Sequence, residues 1–319
     1  MRIMKVTMLN HPHSIQKEEL PPMAMALGFF DGVHAGHQRV IETAKNIANE
    51  RNWKSAVMTF DPHPSVVLGK KHEKIRYITP LDEKIRMIEQ LGIDHLFVIR
   101  FTSDFARLEP QQFIDQYIIG LNVQHVVAGY DFTYGRCGNG TMDTLPEHSR
   151  GLFTITKVDK LAYDGEKVSS TKIRCLLTEG QIEEANRLLG RPYRITGTVV
   201  HGDQRGRKIG FPTANVECDD DYYLPKTGVY AVRMKVKDKW VNGVCNIGYR
   251  PTFKHPDERF MSIEVHLFEF DHSIYGEEVT VEWYKHIRQE RKFNGVQELV
   301  AQIEKDKQSA IKYFQNEAE

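Results

Sequence analysis

The chain has 319 residues, with 43 Lys or Arg and 43 Asp or Glu residues, so its formal net charge is zero. This length exceeds the usual size of a single hydrophobic core and therefore predicts two domains. The charge balance excludes a bulk electrostatic footprint for nucleic acid, and no apolar run reaches the roughly 18 residues of a membrane span. The four cysteines are scattered and form no C-x-x-C pair, which favours a reducing cytoplasm over a disulfide framework or a zinc site.

Short apolar runs alternate with helical patterns in the first half of the chain. The predicted strands are Ala24–Gly28, Ser55–Phe60, His95–Arg100, His125–Gly129 and Thr154–Val158. The predicted helices are Gln38–Arg51, Pro80–Gln90 and Pro110–Ile119. Strands separated by helices of this length predict a doubly wound α/β domain with a parallel sheet, in which ligands bind beyond the carboxyl ends of the strands.

The most informative motif is GFFDGVHAGHQ at residues 28–38, because it places His34 and His37 where a helix begins. The first turn of a helix has unpaired N–H groups and the positive end of the helix dipole, which together bind anions. Gly36 lets an anion approach the backbone, and the two imidazoles can donate hydrogen bonds to one phosphate. We expect a nearby triphosphate to favour the protonated imidazoles. A histidine-bearing turn without a ligand is the alternative.

Three further polar motifs belong to the first domain. VSSTKIR, residues 168–174, offers hydroxyls and cations at a helix start, which suit either a clamp on the same polyphosphate or a plain helix cap. TFDPHP, residues 59–64, is a stiff loop in which an exposed Phe60 could stack on a planar ring, or an ordinary turn after a strand. GYDFTYG, residues 129–135, is a glycine-rich loop after a strand. The histidine turn and the last two motifs fall at the carboxyl ends of strands and predict a nucleotide site there.

The pattern changes from about residue 191 to short alternating or β-branched segments that are divided by Gly, Pro, Asn and Asp turns. This pattern predicts an antiparallel β-barrel or sandwich, closed by an amphipathic helix from Val296 to about Phe314. The domain boundary is expected just after the helix Ile182–Leu189. The predicted domains are therefore residues 1–187 and 188–319.

The second domain has its own candidate site in HGDQRGRKIGFPTANV, residues 201–216. Backbone amides between Gly206 and Gly210 could cradle a phosphate. Thr213 and Asn215 project to one side of an extended strand and offer neutral oxygen ligands for Mg²⁺. Glu264, which alternates with apolar neighbours, could act as general base for a substrate hydroxyl, or could simply be a solvated strand residue.

Taken together, these motifs resemble the bifunctional bacterial riboflavin kinase/FMN adenylyltransferase family (FAD synthetase) over essentially the whole chain. GFFDGVHAGHQ is similar to the H-x-G-H motif of the nucleotidyltransferase module, and VSSTKIR to its I-S-S-T-x-I-R motif. RGRKIGFPTAN, GVYAV, NIGYRPTF, IEVHLFEF and IRQERKF follow the riboflavin kinase barrel in order. The departures are Ala35 and Val168, and Gln289 in a segment that often carries an acid.

The resemblance implies a nucleotidyltransferase domain with a Rossmann-like parallel sheet, followed by an antiparallel kinase barrel. Riboflavin would be phosphorylated with ATP and Mg²⁺, and FMN would then be adenylylated to FAD with release of pyrophosphate. The implied catalytic residues are Glu264, His34 and His37. The implied ATP ligands of the adenylyltransferase are Gly28, Phe29, Asp31, His34, Gly36, His37, Asp131, Ser169, Ser170, Thr171 and Arg174. Its implied flavin ligands are Phe60, Asp61, Pro62 and His63.

For the kinase, the resemblance implies ATP ligands at Gly206, Lys208, Gly210, Thr213, Asn215, Asn246 and Gly248, with Thr213 and Asn215 also holding Mg²⁺. Riboflavin would contact Arg288, Glu290 and Phe293. Two alternatives stay open: an enzyme in which one half is degenerate, and a flavin-binding regulator without turnover. The expected partners are riboflavin, FMN and ATP, with FAD and pyrophosphate as products. We expect no nucleic acid or membrane partner, and a monomer or weak homo-oligomer in the cytoplasm.

Overall fold

The computed structural model describes residues 3–69, 75–163, 165–202, 205–251 and 259–317. The chain divides into two units, Met1–Ser170 and Thr171–Glu319. The strands of the first unit are β1 (Lys5–Leu9), β2 (Met23–Leu27), β3 (Lys54–Asp61), β4 (His95–Arg100), β5 (Val123–Gly129), β6 (Thr133–Tyr134), β7 (Gly140–Thr141), β8 (Thr154–Val158), β9 (Ala162–Tyr163) and β10 (Glu166–Lys167). Its helices are α1 (Ala35–Arg51), α2 (Pro64–Leu68), α3 (Leu81–Gln90), α4 (Pro110–Phe113) and α5 (Leu145–Ser149).

The first unit is built on a six-stranded sheet in the order β1-β4-β3-β2-β5-β8, in which every pair is parallel. The predicted doubly wound α/β class is confirmed. Every residue of β2 is buried, because alternate side chains enter the two hydrophobic clusters on opposite faces of the sheet. From β2 the chain continues to β3 and β4 on one side and returns to β5 on the other. The carboxyl end of β2 therefore lies at the point where the strand order reverses, which is where open parallel sheets bind ligands.

The predicted elements of this unit occur with small shifts at their ends. The predicted helix Pro110–Ile119 is α4 followed by a π-helical segment, Ile114–Ile119. Strand β1 was not predicted. It lies at the edge of the sheet and leaves Val6 and Met8 exposed, so its sequence lacks the continuous apolar run of a central strand.

The second unit contains β11 (Tyr193–Val200), β12 (Ala214–Cys218), β13 (Gly228–Val236), β14 (Lys239–Pro251), β15 (Arg259–Leu267) and β16 (Glu278–Arg288). Its helices are α6 (Ser170–Glu179), which begins at the last residue of the first unit, α7 (Ile182–Leu189), α8 (Arg205–Lys208) and α9 (Val296–Asn316). The strands form a closed barrel in the order β11-β12-β15-β14-β13-β16, with antiparallel pairing throughout. A barrel is therefore confirmed over a sandwich. The amphipathic helix α9 packs on the barrel through Ala310 and Phe314.

The two units divide between Ser170 and Thr171, earlier than the predicted boundary after residue 187, because α6 and α7 make hydrogen bonds within the barrel unit. The Lys226 amide donates to the Leu177 carbonyl of α6 at 2.9 Å. In α7, Asn186 Nδ2 donates to the Trp283 carbonyl at 2.8 Å, and Asn186 Oδ1 accepts from the Tyr193 amide at 2.7 Å. One amide side chain thus ties the helix to β11 and β16. The boundary at 187/188 stays a prediction.

We expect Asn186→Ala to destabilise the barrel unit by about 1–3 kcal/mol, because a strand amide and a strand carbonyl lose their partner together. The measurement is urea unfolding followed by tryptophan fluorescence, since Trp283 is fully buried in the barrel. Gln181→Ala is the matched control, because this residue immediately before α7 is exposed and its side chain makes no capping hydrogen bond. Equal midpoints for the two variants would contradict the assignment.

Candidate active sites

The turn after β2 is held in an unusual backbone conformation. Phe30, Gly32 and Val33 have φ of 56°, 85° and 39°. Positive φ is costly for a β-branched residue such as Val33, so the surroundings must hold this turn in place. They do so through the buried Asp31 carboxylate, which accepts hydrogen bonds from the Ile78 amide at 3.3 Å and the Thr79 amide at 3.0 Å. Asp31 therefore stabilises the predicted nucleotide turn by anchoring it to the backbone at Ile78 and Thr79.

The turn delivers His34 to the N-cap of α1, where its Nδ1 accepts from the His37 amide at 3.2 Å. The two imidazoles stack, with ring centroids 3.5 Å apart and planes inclined by 16°. A Cβ at Gly36 would lie 3.2 Å from His34 Cε1, so the glycine makes room for the His34 ring. Because Nδ1 of His34 is an acceptor, the neutral ring carries its proton on Nε2. That Nε2–H is the donor available to an anion.

Both histidines are neutral at pH 7 in this structure. Burial lowers the pKa of His34 to about 4. Burial also holds the pKa of His37 well below its ordinary value, and the nearby His34 and Lys84 lower it further. The expectation that a triphosphate favours the protonated rings concerns a bound complex and stays a prediction. In the absence of a bound triphosphate, the neutral rings offer hydrogen-bond donors to a phosphate but no charge.

Two other predicted motifs meet this turn. Ser170 Oγ donates to the Asp31 carbonyl at 2.9 Å, with Ser169 directly before it. Thr171 and Arg174 follow in the first turns of α6. After the carboxyl end of β5, the Asp131 carboxylate accepts from Lys167 Nζ at 2.6 Å. Asp131 and Lys167 have opposing effects on the pKa of His34, which places both charges near the ring.

The sequence missed two cations at this site. Lys167 carries no recognisable motif, and its position near Asp131 depends on the β9 and β10 hairpin. Lys84 lies on α3, where the apolar period alone predicts an ordinary helix residue, yet its side chain is buried beneath the histidine turn.

The prediction of an exposed Phe60 in the TFDPHP loop was wrong. Strand β3 extends to Asp61, so Phe60 lies within the buried strand and packs against Phe101 and Phe105. The aromatic contact at the loop is made instead by Phe29 and His63, whose ring centroids lie 4.5 Å apart in edge-to-face geometry. His63 also caps α2 by accepting from the Ser65 amide at 3.1 Å, and Asp61–Pro62 is a cis peptide bond.

In the barrel, the predicted catalytic group lies in a row of polar residues across three strands. Glu264 on β15 is in register with Asn215 on β12 and with Asn246 on β14. Residues directly opposite each other in antiparallel strands project to the same face, so the three side chains are neighbours. The sequence placed these residues in one domain, but only strand order could bring them together.

Two cavities meet at Thr213, two residues before Asn215. The first, here called the loop cavity, is formed by Arg207, Pro212, Thr213 and the segment 270–275. The second, here called the helix cavity, measures about 280 Å³ and lies between the barrel wall and α9. The site residues that line the helix cavity are Gly206, Thr213, Asn246, Glu264, Arg288, Glu290 and Phe293. The predicted nucleotide ligands that line neither cavity are Lys208, Gly210, Asn215 and Gly248.

Two backbone amides of the predicted phosphate site near Gly206 already donate hydrogen bonds within the loop. The Ile209 and Gly210 amides donate to the Gly206 and Arg207 carbonyls at 3.1 and 3.4 Å. These two amides belong to a short helical turn, so they are not available to a phosphate as the sequence predicted.

The far wall of the helix cavity depends on α9, which the sequence did not connect with the site. Arg288 donates to Asp306 through Nε at 2.9 and 3.0 Å and through Nη2 at 2.8 Å. Asp306 is buried and also accepts from Gln302 Nε2 at 2.7 Å. The Arg288 guanidinium lies 5.6 Å from the Phe293 ring centroid.

Two residues predicted to bind nucleotide lie beside one predicted to bind flavin. Asn246 Nδ2 is 3.5 Å from Glu290 Oε1. A Cβ at Gly248 would lie 2.4 Å from the same oxygen. Asn246 therefore lines the helix cavity, and Gly248 lies next to Glu290, another residue of its lining.

The fold and these sites define a nucleotidyltransferase-type sheet followed by a kinase-type barrel, and comparisons with known proteins agree. Residues 16–172 match the family model described as FAD synthetase, and residues 189–314 match the model described as riboflavin kinase. The bifunctional riboflavin kinase/FMN adenylyltransferase of Bacillus subtilis (strain 168) is 57% identical over 313 residues, covering 98% of this chain and 99% of the relative. The Listeria monocytogenes relative of that name is 50% identical over 311 residues, covering 98% of each. The chain belongs to the bifunctional riboflavin kinase/FMN adenylyltransferase family.

A solved structure is similar to this chain over most of its length. The crystal structure described as a macrolide-efflux protein from Streptococcus pneumoniae has a TM-score of 0.85 and 33% identity, covering 94% of this chain and 97% of that one. Its description belongs to that protein, and the likeness supports the fold. Across the described ranges of the present chain, no helix has both the length and the apolar character needed to cross a membrane.

The buried histidine cap predicts a pH dependence of stability. The pKa of His34 is about 4 in the folded chain and near its ordinary 6.5 when unfolded. The unfolded chain therefore binds more protons between these values, and stability is lost as pH falls from about 6.5 to about 4. The loss attributable to His34 is at most about 3 kcal/mol.

His34→Asn separates titration from capping, because asparagine is a good N-cap that does not titrate. The measurement is the free energy of unfolding of wild type and variant between pH 4 and pH 8. We expect the variant to lose less stability at acid pH. Parallel curves would show that His34 is not the titrating group.

Proposed function

We propose that the chain makes FAD in two ATP-dependent steps at two separate sites. Riboflavin is phosphorylated to FMN in the barrel, and FMN is adenylylated at the carboxyl edge of the parallel sheet with release of pyrophosphate. The membership of the family carries the pair of activities, and the stacked His34–His37 pair at the carboxyl edge of the sheet supports the second step. We further propose a cytoplasmic enzyme that is a monomer or weak homo-oligomer.

In the adenylyltransferase, the FMN phosphate attacks the α-phosphorus of ATP and pyrophosphate departs. Negative charge grows on the α-phosphate oxygens, and the Nε2–H of His34 and the imidazole N–H of His37 stabilise it by hydrogen bonds that strengthen in the transition state. Ser169, Ser170, Thr171 and Arg174 hold the outgoing pyrophosphate at the start of α6. No covalent intermediate is needed, because positioning and electrostatic stabilisation suffice for this transfer.

The other predicted contacts of this site have supporting roles. Gly28 and Gly36 leave the backbone open to the nucleotide, Phe29 and Asp131 border it, and Asp31 holds the turn. Asp61, Pro62 and His63 form the flavin side of the loop, with the edge-to-face pair of Phe29 and His63 as its aromatic part.

In the kinase, we propose that riboflavin occupies the helix cavity and that ATP occupies the loop cavity. The observation that carries this arrangement is Thr213, which lines both cavities beside the Asn215–Glu264–Asn246 row. Glu264 accepts the proton of the ribityl 5′-hydroxyl as that oxygen attacks the γ-phosphorus. Arg288, Glu290 and Phe293 border the flavin.

The hydroxyl of Thr213 and the amide oxygen of Asn215 fit Mg²⁺, which prefers oxygen ligands and shares its coordination with nucleotide phosphates. Within the described residues, no cluster of three or more His, Cys, Asp or Glu side chains offers a different metal site. When bound, the ion neutralises charge on the transferring phosphate. Thr213 and Asn215 would hold it and so orient the phosphate towards Glu264.

Glu264→Gln should abolish riboflavin phosphorylation while FMN adenylylation continues. The amide preserves the shape of the side chain but cannot accept the proton, and loss of a general base typically costs about 10²- to 10⁴-fold. The measurement is separation of flavins after incubation with ATP, Mg²⁺ and either riboflavin or FMN. Glu217→Gln, at an exposed position of β12, is the matched control. Near-normal FMN formation by Glu264→Gln would show that Glu264 is not the general base and is a solvated strand residue.

His37→Ala should lower the maximal rate of adenylylation more than it weakens ATP binding, because the donor acts on charge that develops in the transition state. Removal of such a donor typically costs about 10²- to 10³-fold in turnover. Steady-state kinetics with FMN and ATP give the rate, and riboflavin phosphorylation by the same preparation is the internal control. An unchanged maximal rate with only a raised KM for ATP would sink the role. A parallel fall in both activities would indicate one shared ATP site.

A further inference from the structure

We infer that Lys84 is a positioning residue of the adenylyltransferase, whose buried ammonium fixes the start of the histidine turn and gives the neutral imidazoles a positive charge behind them. This inference rests on the proposal that adenylylation occurs at His34 and His37. It adds a residue that lies on α3, away from the sequence motifs that define the site.

The contacts of Lys84 converge on one carbonyl of the turn. Lys84 Nζ donates to the Phe29 carbonyl at 2.8 Å and to Thr59 Oγ1 at 3.3 Å. Thr59 Oγ1 in turn donates to the same Phe29 carbonyl at 2.8 Å. The ammonium also lies 4.0 Å from the centroid of the Phe29 ring, within cation–π range. These contacts fix both the backbone and the ring of Phe29, directly before the positive φ of Phe30.

A lysine at this buried position carries a large desolvation cost. Its side chain is 2% exposed, and burying an ammonium costs far more than burying the apolar residues that surround it on α3. Met87 and Ile88 of the same helix fill the core without a charge. An apolar side chain would therefore satisfy the packing at this position. The presence of an ammonium indicates an electrostatic role.

The surrounding charges supply that reason. Asp31 and Asp61 are the acidic groups that favour the charged form of Lys84, while burial lowers the pKa of Lys84 to about 8. On the other side, Lys84 helps to lower the pKa of His37. Burial is the main reason that His37 is neutral, and the charge of Lys84 adds to this effect. The same positive charge, behind the neutral rings, attracts a polyphosphate. Direct protonation of the rings is not needed for the site to attract an anion.

Lys84→Met tests this role, because methionine has similar length and flexibility without the charge. We expect the maximal rate of FMN adenylylation to fall about 10- to 100-fold, by analogy with the loss of residues that orient metal ligands. Thr59→Val is the matched control, since it removes the other donor to the Phe29 carbonyl but leaves the charge in place. Its effect should be smaller. Riboflavin phosphorylation should be unchanged in both variants and reports on folding of the rest of the chain.

The pH profile distinguishes charge from mere packing. In wild type, kcat/KM for adenylylation should decline as pH rises through about 8, where Lys84 loses its proton. Thr59→Val should keep this alkaline decline, and Lys84→Met should lose it. If Lys84→Met fails to fold, the wild-type profile still decides, because a rate that stays flat between pH 7 and pH 9.5 overturns the inference. Wild-type turnover by Lys84→Met also overturns it.

His37→Ala separates this inference from the proposed site. If His37→Ala retains full adenylylation, the site assignment itself is wrong and the role of Lys84 falls with it. If His37→Ala is inactive while Lys84→Met is fully active with an unchanged profile, the site stands and only the role of Lys84 is wrong.

Discussion

The first active site depends on a short turn that must hold the backbone at positive φ on both sides of Asp31. An isolated chain would not keep Phe30 and Val33 in that conformation. The buried Asp31 carboxylate, the Ser170 hydroxyl and the two donors to the Phe29 carbonyl together hold the turn. The result is a helix start with two stacked imidazoles at the carboxyl edge of the sheet. The chemistry of the rings follows from this placement.

The two proposed sites bind ATP through different chemical groups. The sheet domain offers a helix N-terminus and neutral imidazole donors, with the buried ammonium of Lys84 behind them. The barrel offers a row of side chains fixed by strand register, with Glu264 between two asparagines and Thr213 at the meeting point of two cavities. The proposed flavin side of the barrel depends on a helix distant in sequence, because Asp306 of α9 holds Arg288 in a fixed orientation.

The sequence predicted the parts of the fold that depend on local pattern. The central strands, α1 and the β-only character of the second half follow from apolar periodicity and turn residues, and His34, His37, Thr213 and Asn215 are recognisable from their motifs. What the sequence missed depends on tertiary position. Lys84 and Asp306 have no motif, and their roles arise only when α3 and α9 pack against their neighbours. Phe60 was expected to be exposed at the end of its strand, but it packs against Phe101 and Phe105, which are distant in sequence.

The central claim is that the two reactions have separate sites and that FMN made at one site is used at the other. Mixing the Glu264→Gln and His37→Ala variants tests this directly, with riboflavin, ATP and Mg²⁺ as the only substrates. Alone, the first variant should leave riboflavin unchanged, and the second should accumulate FMN. Together they should form FAD, because FMN made by one variant is adenylylated by the other. Accumulation of FMN without FAD in the mixture, or loss of both reactions in either single variant, would contradict two independent sites.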